Sequence, residues 1–329
     1  MYLTNSDNSN TQNIVNSLLI FFAFIIVLLV VSFVRKLYYY FKYKKRFYII
    51  PRVSVKGISI IAMVISISIA IIVLLTFATA DVMAVIFRAW PGTRVTLEGI
   101  LIKIGGLLFG PIIGAFIGAM TDLLAVALTA GVFHYGYLIA AMAYGLIGGL
   151  IRSFFAVAKN KKINFAIIST VILSILTVGM LAYLYGIESL KDGVAIPILG
   201  TISQAVIVWY VVGFCLSCIA LIWICYTIQT IQDKKNKKKW TWFNSFIPVL
   251  VASIMCELVV NILMLPSFDA ELSTIPYQQW VVIRSLLLIP MTVLNVVIIF
   301  PIFKIVVPLI NYDYTKELVE PIKTPIYVE

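Results

Sequence analysis

Apolar residues in this chain run in long unbroken blocks, without the alternation of a half-buried strand or the one-sided stripe of a soluble helix. A helix crossing a bilayer needs about 20 mostly apolar residues. Nine blocks approach or exceed that length: about 14–34, 57–90, 95–109, 112–130, 135–155, 165–185, 201–231, 246–265 and 281–309. The connectors are short and polar, and residues 311–329 form a brief polar tail. The block 57–90 is too long for one simple crossing, since it would make a helix of about 50 Å against about 30 Å of hydrocarbon. Asp81 and Arg88 near its end predict that the last two turns leave the lipid. The pattern predicts an all-α polytopic membrane protein with about nine transmembrane helices.

Composition sharpens this. Of 329 residues, 62% are hydrophobic and 12% charged, and mean hydropathy is +1.06. Soluble chains are about 45–50% apolar and about 25% charged. A soluble enzyme, a disordered chain and a disulfide scaffold are excluded. Cys215, Cys218, Cys225 and Cys256 sit in apolar runs and read as small buried hydrophobes.

The net charge of +11 would suggest nucleic acid if the charges were scattered. They are grouped instead: residues 35–56 hold eight Lys or Arg, 152–163 four, 233–239 five, and 304 onward three. In a nine-span arrangement all 20 fall on one side, which the positive-inside rule places in the cytoplasm. The expected topology is a multi-pass plasma-membrane protein with its N-terminus outside and its C-terminus cytoplasmic. The basic loops face anionic lipid, and no nucleic-acid partner is expected. Residues 1–13 carry no Lys or Arg, so the first span reads as a retained anchor.

Five basic residues fall elsewhere: Arg88, Arg94, Lys103, Lys191 and Arg284. Asp81, Glu98, Asp122 and Glu257 lie in or beside spans. A charge at the bilayer centre costs about 2.5–3.5 kcal/mol on insertion scales, so each needs a partner or a wet cavity. Arg88 and Arg94 fit either an interfacial or ion-paired role, or an outer pocket for an anionic solute, whose carboxylates suit the guanidinium fork. Lys103, about one turn past Glu98, is expected to pair with it. Gly106, Gly110, Gly114 and Gly118 recur every four residues with Pro111 between, which predicts two closely packed helices meeting at a tight turn. His134, the one histidine, sits in an outer turn and could be a ligand contact, a proton relay or a plain loop residue. No metal constellation, nucleotide-binding P-loop, H-E-x-x-H or G-x-S-x-G motif occurs, so no catalytic residue and no bound cofactor is expected.

The stretch from Gly99 to Leu124 contains Phe109-Gly-Pro-Ile-Ile-Gly114 and Gly118-Ala-Met-Thr-Asp-Leu-Leu124. It closely resembles the second and third helices of energy-coupling factor (ECF) transporter S components, best in the folate-type branch, whose pattern reads G-x-L-F-G-P-x-x-G-A-x-x-G-A-x-x-D-L-L. Gly145-Leu-Ile-Gly-Gly-Leu150 resembles the end of that family's fourth helix. Asn261 in Val260–Leu265, Arg284 in Trp280–Leu286, and Pro290-Met291 resemble features of its fifth and sixth helices more loosely. Tyr135, Ile262, Met264 and Thr292 depart from the family's usual proline, threonine, tryptophan and glutamine.

The resemblance implies a six-helix S-component-like core. It divides the chain into an N-terminal anchor and basic loop (1–56), core helices 1–4 (57–155), an inserted two-helix segment (156–242), and core helices 5–6 with the tail (243–329). It implies a substrate-binding, non-enzymatic subunit of an ATP-driven vitamin importer. The partners would be a transmembrane coupling subunit, docked at Ala80 and Ala84, and two ATPase subunits that hydrolyse the ATP. A folate is the expected solute. Arg88, Arg94 and Arg284 would take its carboxylates, Trp90, Tyr135, Tyr137, Tyr277 and Trp280 would stack on the pterin, and Asn261 would read the pterin edge. Asp122 would pair with a pocket base or cap a helix turn, and His134 would lie at the rim. Another vitamin such as riboflavin, an ion-coupled secondary transporter and a polytopic membrane enzyme are the alternatives.

Overall fold

The computed structural model describes residues 55–78, 92–129, 133–160, 164–191, 193–196, 200–236 and 242–309, together with scattered helical positions between 15 and 37. The elements are α1 (Val55–Ala78), α2 (Gly92–Phe109), α3 (Pro111–Thr129), α4 (Tyr135–Asn160) and α5 (Phe165–Gly186). A short 3-10 turn and a hairpin, β1 (Val194–Ile196) and β2 (Gly200–Ile202), lead to α6 (Gln204–Asn236). The chain ends in α7 (Trp242–Cys256), a π-helical stretch (Glu257–Met264), α8 (Leu265–Leu272), α9 (Tyr277–Leu286) and α10 (Leu288–Leu309).

Among the described residues, six helical segments are long and apolar enough to cross a membrane: Pro111–Thr129, Tyr135–Phe155, Phe165–Gly186, Gln204–Gln232, Ser245–Leu272 and Leu288–Ile305. The chain is a helical polytopic membrane protein. The expected count of nine is not reached among the described residues, and the expected first span, 14–34, lies mostly outside them. α2 holds Arg94, Glu98 and Lys103 and is sheathed by protein, with Ile102, Lys103 and Leu108 fully buried. In α1 the apolar stretch is the shorter Ile58–Leu74, and positions 79–91 lie outside the described residues. The block 281–309 is two helices, α9 and α10, broken at Leu287.

Glycine spacing builds the tightest part of the bundle. α2 and α3 are joined by Gly110, whose φ of +92° is a left-handed conformation open to glycine. Gly110 N–H donates to Gly106 O at 2.9 Å, and Gly114 N–H donates to Gly110 O at 2.9 Å, so little hydrogen bonding is lost at the turn. α4 crosses both helices against their glycine faces. A Cβ on Gly145 would collide with the Gly114 carbonyl, and one on Gly114 with the Gly145 carbonyl. Backbones this close permit no side chain between them. Arg152, from the basic stretch 152–163, is buried rather than solvated, and its Nη1 donates to Leu108 O at 2.8 Å at the end of α2.

The expected insertion is the pair α5 and α6, with Trp223 Nε1 donating to Thr170 Oγ1 at 3.1 Å between them. Its connector carries the hairpin, which the helical reading omitted. The hairpin is antiparallel, with Ala195 opposite Thr201; Gly193, just before β1, and Gly200, the first residue of β2, are both at positive φ.

Proline positions explain the irregular helices. Pro290 has no N–H to offer the Leu286 carbonyl four residues back. Tyr210 OH, from α6, donates to that carbonyl instead at 3.0 Å. The expected end of the fifth core helix before Pro266 is passed: the π-helical stretch places Pro266 in the first turn of α8, where a missing N–H costs nothing. The helix therefore runs on to Leu272 and brings Asp269 and Glu271 with it.

Candidate functional site

Lys103, Asp122 and Arg284 are buried charged groups, and each is met by a partner from another helix. Lys103 of α2 is fully buried, and its Nζ lies 3.1 Å from Glu257 Oε1 and 2.9 Å from Asn295 Oδ1. Its ammonium also stands 4.8 Å from the centre of the Tyr144 ring. This corrects the expected Lys103–Glu98 pair. Glu98 is taken by Arg94, one turn before it, whose Nε lies 3.0 Å away. Arg94 Nη2 reaches across to Asp122 Oδ1 of α3 at 2.7 Å, the pairing with a base expected for Asp122.

Asn261 is the junction. Its Oδ1 accepts from Tyr144 OH at 2.7 Å, Thr96 Oγ1 at 3.1 Å and Arg284 Nη1 at 3.2 Å. Its amide donates to Glu257, one turn earlier in the π-helical stretch. Glu257 Oε1 also accepts from Asn295 Nδ2 at 2.6 Å. The widened π turn is where helices commonly carry functional residues, and here it presents both Glu257 and Asn261 to the same interior.

Arg284 of α9 clasps Asp269 Oδ2 through Nε at 2.6 Å, and Tyr137 OH donates to Oδ1 of the same carboxylate at 2.7 Å. A continuous buried chain thus runs Tyr137–Asp269–Arg284–Asn261–Glu257–Lys103–Asn295. Nearer the surface, Glu271 accepts from Tyr135 OH at 3.0 Å and lies 3.1 Å from His134 Nε2. Gly136 N–H donates to His134 Nδ1 at 3.2 Å, which leaves Nε2 to carry the hydrogen that faces Glu271. His134 and Tyr135 pack on Phe268, with ring centres 5.5 Å and 5.6 Å from it, and Tyr137 packs on His134 at 5.3 Å.

Of the residues expected at the site, Arg94, Asp122, Tyr137, Asn261 and Arg284 lie in this polar interior, and His134 and Tyr135 lie at its rim. Tyr277 and Trp280 differ from expectation: both are buried and engaged elsewhere. Tyr277 OH is 2.5 Å from Tyr183 OH of the insertion, and Trp280 Nε1 donates to Ser273 Oγ at 2.8 Å. Neither offers an open stacking face. Arg88 and Trp90, and Ala80 and Ala84, lie outside the described residues. The reading of single residues missed Thr96, Tyr144, Asp269, Glu271 and Asn295. A signal for Asp269 and Glu271 was their place one turn beyond an apolar span.

The arginines do not stand open for a solute: Arg94 and Arg284 are each held by protein carboxylates. What the site can do chemically is exchange. An incoming carboxylate can take the Arg284 fork from Asp269, or the Arg94 fork from Asp122, if the displaced aspartate is in turn protonated or hydrated, since both aspartates are fully buried.

No family model matches the chain, and no solved structure matches it. A relative in Mycoplasma pneumoniae (strain ATCC 29342 / M129 / Subtype 1), "Uncharacterized protein MG098 homolog", is 27% identical over 357 residues, covering 93% of this chain and 73% of the relative.

Proposed function

We propose that this chain is the substrate-binding subunit of an ECF-type, ATP-driven vitamin importer and that its solute is a folate. The observation that carries the reading is the run Gly99–Leu124, in which the glycines, the proline and the aspartate of the S-component pattern coincide. The close α2–α3–α4 packing gives those glycines a physical purpose, and the same run delivers Asp122 into the polar interior beside Arg94. The polar interior and its aromatic rim lie toward the end of the bundle that carries the α3–α4 turn, the α8–α9 turn and the hairpin. The charge distribution makes that end the outer one.

In this reading a folate enters past His134 and Tyr135. Its glutamate carboxylates exchange with Asp269 and Asp122 for Arg284 and Arg94, and its pterin edge meets Asn261, which both donates and accepts. Two ATPase subunits and a transmembrane coupling subunit supply the energy, and Ala80 and Ala84 are the docking positions for the coupling subunit. The test is purification of the full chain from its native membrane in mild detergent. Recovery with an ATPase pair and one further membrane subunit is expected, and recovery in complex with no ATPase activity counts against the class.

A second reading, an ion-coupled secondary transporter, draws on the buried ionisable residues beside interrupted helices at α7–α8 and α9–α10. Uptake into proteoliposomes that hold the chain alone, driven by an ion gradient without ATP, would favour it.

A further inference from the structure

Among the described residues, and leaving aside Arg152 on the Leu108 carbonyl, the buried charges do not balance. Arg94, Lys103 and Arg284 bring three positive charges, and Glu98, Asp122, Glu257 and Asp269 bring four negative ones. Lys103 is matched by Glu257 and Arg284 by Asp269. The surplus sits at Arg94, which alone faces both Glu98 and Asp122.

The oxygen atoms there are also short of donors. Glu98 Oε2 and Asp122 Oδ2 are buried and accept no hydrogen bond, and the Arg94–Glu98 contact is electrostatic, without hydrogen-bond geometry. Thr121, next to Asp122, buries a hydroxyl that has no partner either. Leaving one carboxylate charge unpaired inside protein costs several kcal/mol. A positively charged ligand is what this cluster lacks.

We propose that the Arg94–Glu98–Asp122 cluster is a proton-binding site that holds one exchangeable proton, carried on Glu98. Glu98 is the carrier because Asp122 Oδ1 has a true hydrogen bond from Arg94 Nη2 at 2.7 Å, whereas Glu98 has none. A proton from water bonds to one Glu98 oxygen and leaves a neutral acid. The remaining Arg94–Asp122 pair is then balanced.

A metal ion fits less well. Among the described residues no third His, Cys, Asp or Glu joins these two carboxylates. The guanidinium, about 3 Å from both, would repel a metal cation. Among the described residues, Arg94 and Asp122 are the charged groups that face Glu98. α3 contributes Asp122, while α4 contributes Tyr144, packed on Gly99, and Tyr137. Asp269 of α8 is engaged with Arg284 and Tyr137, and α1 carries no charged residue from Gly57 to Ala78.

Infrared spectroscopy of the purified full chain in detergent tests the site without any transported solute. At neutral pH a carbonyl-stretch band of a protonated carboxyl group is expected, one that exposed carboxylates do not give. It shifts in heavy water and is absent from Glu98→Gln. The proposal also requires Glu98→Gln to fold, since glutamine copies the neutral acid. A spectrum without the band overturns the proposal, as does a band that survives Glu98→Gln. So does a band that sodium removes at fixed pH, which would make the ligand a metal cation. Failure of Glu98→Gln to fold while Glu98→Asp folds also overturns it.

Discussion

At the scale of single residues, this protein buries ionisable groups and matches Lys103 with Glu257 and Arg284 with Asp269, while Arg94 is shared between Glu98 and Asp122. Breaking one such pair leaves the other charge stranded. Lys103→Met therefore should cost about 3–5 kcal/mol by exposing Glu257 to an interior with no counter-charge. Lys103→Met with Glu257→Gln should recover much of that loss, because no buried charge then remains. Thermal unfolding in detergent, followed for both variants, checks this. A single variant as stable as the parent would mean that water reaches the pair. In the proposed function Arg284 has two tasks, its contact with Asp269 and a contact with the solute. Asp269→Asn keeps its shape while loosening the competing carboxylate, and it should tighten folate binding. Arg284→Ala should weaken binding at least tenfold, about 1.4 kcal/mol, in protein shown to be folded. Unchanged affinity in Arg284→Ala removes that residue from the site.

At the scale of helices, close approach and proline repair decide the architecture. Gly145→Ala places a methyl group against the Gly114 carbonyl backbone, which cannot move aside as a flexible side chain would. Overpacking of this kind costs about 1–3 kcal/mol or more, so a monodisperse peak should shrink or vanish in size-exclusion chromatography. Gly179→Ala is the matched control: it lies inside α5 with open space around it. There alanine should stabilise the helix by up to about 1 kcal/mol. Equal behaviour of the two variants would contradict close packing as the reason for the glycine at 145. Tyr210→Phe removes the donor that serves the carbonyl left by Pro290. The expected cost is about 1 kcal/mol, since the bond is only part-buried. Because α9 carries Arg284, that loss should also appear in solute affinity.

These elements show what a sequence discloses and what it withholds. The glycine register from Gly106 to Gly118 foretold close packing because spacing along one helix is a local property. Asn261, Arg284 and Asp122 stood out because a polar residue inside an apolar block must be satisfied somewhere. The partner is another matter. Lys103 lies five residues from Glu98 yet pairs with Glu257, 154 residues away. That choice is made by which helix faces which, and single-residue reading has no access to it. The same limit hid Asn295 and Asp269. The break at Leu287 was concealed because α9 and α10 are both apolar, and the hairpin because its strands are three residues each.

At the scale of the whole molecule, the segment that carries α5, the hairpin and α6 braces α9. Three hydrogen bonds tie the insertion to α9: Tyr183 with Tyr277, Gln279 Nε2 to Ala195 O at 3.0 Å, and Tyr210 to Leu286 O. The helix that presents Arg284 to Asp269 is thus braced from the α5–α6 side. Exposed apolar side chains on α5 and α6, such as Ile175, Val178, Trp209 and Ile224, suit a lipid environment. The central claim is that this assembly binds a vitamin. Titration of the purified full chain with folate and reduced folates, read by intrinsic tryptophan fluorescence, tests it most directly. Saturable binding with a Kd below about 1 µM, near −8 kcal/mol, is the predicted result. The absence of a saturable response to folates and to every other vitamin tried would contradict it.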